Sequence, residues 1–195
     1  MRKLILLAPV LVSALALPGV AAAQQTAQAV APIAGSTSTK NVGVIGTAPA
    51  MCFGGTLTGS GNYDLGILID TATGQLRTDL AAPPKLLVGS FCTGRSTITV
   101  QATPLAAENS TVAPPSGFSR SVDYVATASG WTTTPAAFNT ATAVNSAATQ
   151  TRASAFTGDI TVAISDFATN GGNSLRLVAD DTYRGLVTVT LAAVN

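Results

Sequence analysis

Period-two alternation of β-branched residues is the feature that most limits what this chain can fold into. In Ser96-Thr97-Ile98-Thr99-Val100-Gln101-Ala102, Ile98 and Val100 share one face and the threonines take the other. Val122, Tyr124 and Ala126 alternate with Asp123, Val125 and Thr127, and Ile160, Val162 and Ile164 with Thr161 and Ala163. Val187, Val189 and Leu191 alternate with Thr188 and Thr190, and Leu65, Ile67 and Ile69 across Gly66 and Leu68. Successive side chains of a strand point to opposite faces, so each segment reads as a strand with one face inside. Pro83-Pro84, Pro114-Pro115 and Asn170-Gly171-Gly172 supply the turns between them. From Pro135 to Ala155 alanine is abundant, but Thr, Ser and Asn compete for backbone groups and no apolar face recurs at helical spacing. That stretch is expected as loops and short strands, and the whole as an all-β, antiparallel β-sandwich.

The N-terminus sets the expected compartment. Arg2 and Lys3 precede an apolar run from Leu4 to Leu17, followed by Pro18, Gly19, Val20 and Ala21-Ala22-Ala23. A positive start, an apolar centre and a small-x-small site are the pattern of a secretory signal peptide, expected to be cleaved after Ala23. The run is shorter than the ~20 residues a spanning helix needs. Of 10 Lys+Arg, losing Arg2 and Lys3 leaves 8 against 9 Asp+Glu (10 − 2 = 8), so the net charge falls from +1 to −1. A chain so balanced has no basic surface for phosphates, and nucleic acid is not an expected partner. Export also exposes the cysteines to oxidising conditions, which favours a Cys52–Cys92 disulfide, two buried free thiols being the alternative. The expected organisation is a signal peptide over 1–23, a flexible arm or donor strand over 24–51, and a β-sandwich over 52–195. The arm is poor in large side chains, and its only alternation is Val42, Val44 with Ile45.

Little in the sequence can do chemistry. With no histidine, the commonest general base, the usual nucleophile pairings and the commonest zinc ligand are missing. Lys40 and Lys85, the lysines left after processing, stand outside Ser-x-x-Lys spacing. Asp123, Asp159, Asp166, Asp180 and Asp181 could serve a carboxylate-dependent hydrolase only if two faced one another across a cleft. Asp180-Asp181 with Asp166 could hold calcium, but no Asp-x-Asp-x-Asp series is present and loop capping is the plainer role. Gly54-Gly55 and Gly171-Gly172 lack the strand-to-helix setting of a phosphate loop. Trp131, the single tryptophan, could stack on a sugar or fill the core. No catalytic residue, metal or cofactor is therefore expected.

The segment from Leu175 to Leu191 closes with a polar turn, Tyr183, and a strand of Val-Thr repeats. Together with Phe53-Gly54, Asn62-Tyr63-Asp64-Leu65-Gly66 and the Cys52/Cys92 pair, it resembles the spore-coat-U and chaperone–usher pilin-like group of exported bacterial subunits. The resemblance covers Cys52 to Leu191. It implies an incomplete immunoglobulin-like sandwich lacking one strand, which a neighbour's N-terminal extension fills by β-strand addition. It implies Val42 and Val44 as donor-strand residues, and Val187, Val189 and Leu191 as the terminal assembly strand. The implied partners are further copies or related subunits, a periplasmic chaperone and an outer-membrane usher, at the periplasm or cell surface. The arm's weak alternation and the end Ala192-Ala193-Val194-Asn195, without a near-terminal aromatic, depart from the group's pattern. The alternative expectation is a self-contained secreted binding module, for which carbohydrate is the candidate ligand.

Overall fold

A computed structural model describes residues 39–194. The signal segment 1–23 and the first part of the arm lie outside the described residues. The chain divides into two compact units, Met1–Gly46 and Thr47–Asn195. In the first, the described residues from Thr39 to Gly46 are exposed and belong to no strand.

The second unit is all-β, and no helix occurs among the described residues. Its strands are β1 (Cys52–Phe53), β2 (Thr56–Leu57), β3 (Lys85–Cys92), β4 (Ser96–Ala107), β5 (Phe118–Ser119) and β6 (Ser121–Ser129). They continue with β7 (Ala136–Asn139), β8 (Thr149–Arg152), β9 (Phe156–Thr169), β10 (Arg176–Leu177) and β11 (Tyr183–Ala193). Nine form one antiparallel sheet whose main path is β1-β3-β9-β6-β4-β11. The exception to antiparallel pairing is the short parallel ladder of β10 with β5.

The sheet turns over on itself where β4 and β6 part. They pair only at Leu105↔Val122 and Ala106↔Ser121. Beyond that corner β6 pairs with β7 from Val125 to Ala128, while β4 pairs with β8 from Ser96 to Thr99. Inward residues from both sides then meet in one core: Ile98 and Val100 from β4, Tyr124, Ala126 and Ala128 from β6, Ile160 and Val162 from β9. The alternation of these strands is thus the buried face expected from the sequence.

The alternation at Leu65, Ile67 and Ile69 does not make a strand. That segment forms only the bridge Ile69↔Leu76. Within the segment Asp64 Oδ1 accepts from Gly66 N and Gly66 has a left-handed φ of 62°, and just after it Asp70 Oδ1 accepts from Ala72 N and Thr73 N, so local turns break and end the extended run. The stretch from Pro135 to Ala155 does hold short strands and loops, namely β7 and β8.

The Cys52–Cys92 disulfide is present and joins directly paired residues of β1 and β3. Met51 N donates to Thr93 Oγ1 and Thr93 N to Met51 O, so the backbone just ahead of the bridge is also fastened to the turn after β3.

Candidate assembly surface

β11 pairs along its length with β4, from Tyr183↔Ala107 to Ala193↔Ser96, and with no other strand among the described residues. Its far edge therefore carries backbone N–H and C=O groups without a ladder partner. β1 approaches β11 but exchanges no ladder hydrogen bonds with it, so the sheet is nearly closed and the opening lies between these two strands.

Burial records the same opening. Ile98 and Val100 on β4 are fully buried. One strand over, Val187, Val189 and Leu191 pack against the same core but stay half-buried. An apolar row facing inward along an unpaired edge retains water-accessible surface that one more strand would cover. The structure thus brings the three predicted assembly residues onto one face beside that edge. Val42 and Val44 are 84% and 95% exposed and lie outside any strand.

The start of β11 is held by devices that the alternation did not disclose. Tyr183 Oη donates to Val178 O at 2.8 Å, folding the approach to the strand back on itself. The register shifts between Arg184 and Leu186, and a Cβ on Gly185 would stand 2.8 Å from Thr103 O. Only glycine allows that backbone approach. Tyr124 Oη, from the opposite side of the core, donates to Leu186 O. The Tyr-Arg-Gly tripeptide was visible in the sequence, but its meaning depends on a carbonyl of β4 that is far away along the chain.

The acids are dispersed into structural tasks. Asp180 accepts from Asn109 N, Ser110 N, Thr182 N and Asn109 Nδ2, which is loop capping. Asp123 is buried and accepts from Thr140 Oγ1 at 3.0 Å and Asn170 Nδ2 at 2.7 Å. Asp159 Oδ1 accepts from Gly89 N at the irregularity in β3, and Asp166 accepts from Ser165 Oγ. No cluster of three or more His, Cys, Asp or Glu occurs among the described residues.

Of the two roles open to Trp131, the structure shows the core one. Its side chain is fully buried, with its ring 4.3 Å from that of Phe156, centroid to centroid. Arg152 Nη1 donates to Trp131 O and its guanidinium lies over the Phe156 ring. The tryptophan closes the core and offers no face to a ligand.

The titrating groups set the pH window of the body. Burial, reinforced by the nearby Tyr63 phenol, pushes the Tyr124 phenol up to about 12. Burial also raises Tyr63 and, with the charge of Asp180, Tyr183. The Thr182 amide leads the donors that hold Asp180 below the usual carboxylate range. The Ala72 amide does so for Asp70, and the Arg77 guanidinium for Asp79. Raised phenols stabilise the fold fully below their unfolded value of ~10 and lose that contribution as pH rises toward the folded value. Depressed carboxylates contribute above their unfolded value of ~3.9 and lose it as pH falls toward the folded one. With no histidine and both cysteines bridged, the urea midpoint should be flat from about pH 5 to 9, falling on either side. A step near pH 6–7 in a pH series of urea melts would contradict this assignment.

No family model, curated protein or solved structure matches the chain. Among the described residues no helix is long and apolar enough to cross a membrane.

Proposed function

We propose that this chain is an exported, non-catalytic structural or adhesive subunit of a bacterial surface appendage, assembling by β-strand addition. The observation that carries the reading is the unpaired edge of β11 beside the half-buried row Val187, Val189 and Leu191. Such an edge gives an incoming strand main-chain hydrogen bonds, and the row gives its alternate side chains something to pack on.

Strand adjacency supports an immunoglobulin-like ancestry for this edge. That fold sets A-B-E-D in one layer and C-F-G in the other. The order β1-β3-β9-β6 follows A-B-E-D, and β4-β11 follows C-F. On this assignment the G position beside β11 is vacant among the described residues. The bond from Tyr183 to Val178 O supports it independently, because a tyrosine at the start of strand F that bonds back to upstream backbone is a mark of such domains. The spore-coat-U and pilin-like resemblance supplies the occupant, a neighbour's arm within 24–51, with Val42 and Val44 as inward side chains. It also supplies the chaperone and usher that would keep the edge covered before assembly. The disulfide is in keeping with export.

The test is removal of residues 24–51 from the processed chain, expressed in a periplasm with a cognate chaperone and run unboiled and non-reduced. The full chain should give a ladder of stable oligomers and the truncated chain a single band with its disulfide intact. A ladder that persists after truncation overturns strand donation by the arm. A sharp monomer from the full chain favours the self-contained binding module instead.

A further inference from the structure

Asn170 stands directly before Gly171 in the turn that follows β9, and the pair is the single Asn–Gly step of the sequence. Gly172 N donates to Thr169 O at 3.0 Å and closes the turn, while the Gly171 amide inside it has no acceptor among the described residues. Gly171 has a φ of 94°, and a Cβ there would stand 2.9 Å from Leu175 Cδ1, so this backbone selects glycine. Asn170 is exposed, but its Nδ2 donates at 2.7 Å to Asp123 Oδ2. Asp123 is 4% exposed and also accepts from Thr140 Oγ1. Asparagine is among the chemically labile residues, and a following residue without a Cβ leaves its own amide free to approach the carboxamide.

We propose that Asn170 is a self-modifying site, which deamidates in the folded chain with water as co-reactant and at a pace set by Asp123. Gly171 N gives up its proton to solvent and bonds to Asn170 Cγ. The Cγ–Nδ2 bond breaks, the nitrogen takes up a proton and leaves as ammonia, and a five-membered succinimide remains. Water then opens the ring, at Cγ to give aspartate or at the main-chain carbonyl to give isoaspartate. The net exchange is NH for O, and nothing is oxidised or reduced. The hydrogen bond to Asp123 holds Nδ2 in place, so ring closure waits on local opening of the turn. The product removes the contact that delayed it, because a carboxylate oxygen replaces the donor beside a buried carboxylate. Isoaspartate also lengthens the backbone of the turn that Gly172 and Thr169 close. The change therefore loosens the junction of β6 and β9 irreversibly. The other described asparagines precede Val42, Tyr63, Ser110, Thr140, Ser146 and Ser174, each of which carries a Cβ. The inference stands apart from the assembly reading.

The test ages the processed, oxidised chain at 37 °C and mildly alkaline pH, beside the same chain unfolded in urea, with tandem mass spectrometry of tryptic peptides. In the folded chain the mass gain of NH-to-O exchange should appear at Asn170 ahead of every other asparagine, with isoaspartate among the products, and more slowly than in urea. Asp123→Ala should convert several-fold faster. Thr140→Val, which removes a bond of the same cluster but leaves Nδ2 held, should stay close to wild type and so separates release of the carboxamide from general destabilisation. Asn170→Asp, the product itself, should melt below wild type. An intact Asn170 in the folded chain after the unfolded one has converted overturns the site. Equal conversion at the other asparagines does the same. Equal rates in Asp123→Ala and Thr140→Val overturn the role of Asp123, and an unchanged melt of Asn170→Asp overturns the loosening.

Discussion

Replacing both Cys52 and Cys92 with alanine should lower the stability of the body by roughly 4 kcal/mol, the chain entropy of a closed loop of this length. The separation of the two cysteines is 40 residues. At about 2–4 °C per kcal/mol for a domain of this size, the thermal midpoint should fall by about 8–16 °C. Two features place the effect at this end of the range of disulfide contributions. β1 is two residues long and cannot hold its place by its own ladder, and from Gly59 to Pro84 the chain forms no strand. Both therefore depend on the bridge to fix their starting point. Paired melts of the oxidised and reduced protein check this directly. Coincident curves would show that the bridge constrains nothing of consequence.

Trp131→Ala should cost about 3–5 kcal/mol, the usual range for removing a buried large aromatic. The fully buried ring packs on Phe156, whose other contacts include the Arg152 guanidinium that also anchors Trp131 O. Deleting the indole leaves a cavity under that stack and loosens the turn between β6 and β7. Gly130 fixes the same turn, since a Cβ there would lie 2.8 Å from Asp159 O, so the site has little freedom to collapse. Urea titration gives the magnitude. In the wild type, fluorescence should be blue-shifted and resistant to iodide quenching. A destabilisation below ~1 kcal/mol, or ready quenching, would mean that the ring is not in the core.

How far the sequence could be read depended on whether one face of a segment was dry. β4, β6, β9 and β11 were legible because Ile98, Val122, Ile160 and Val187 each begin a run whose alternate members reach the core. β3 was hidden because its pattern is broken. Leu86 and Val88 are exposed hydrophobics, and a register shift between Leu87 and Ser90 interrupts the period. The Leu65–Ile69 segment misled for the opposite reason, since its alternation is regular but Asp64 takes the Gly66 amide, Gly66 has a left-handed φ of 62°, and Asp70 caps a turn directly after the segment. At the candidate surface, Val187, Val189 and Leu191 were legible as a row. The open edge was not, because an unpaired strand has the same side-chain pattern as a paired one. Trp131 was ambiguous on composition alone, and only its burial decides between platform and core.

The central claim is that the edge of β11 is open in the monomer and filled in the assembly. Amide hydrogen exchange resolved along Tyr183–Ala193 reads it most directly. About half of these amides should point at the open edge and exchange quickly in the monomer, while those bonded to β4 are protected. In the polymer, or after addition of a peptide of residues 24–51, the fast set should become as protected as the rest. Uniform protection along β11 in the monomer, or a fast set that stays fast in the polymer, would contradict assembly through this edge.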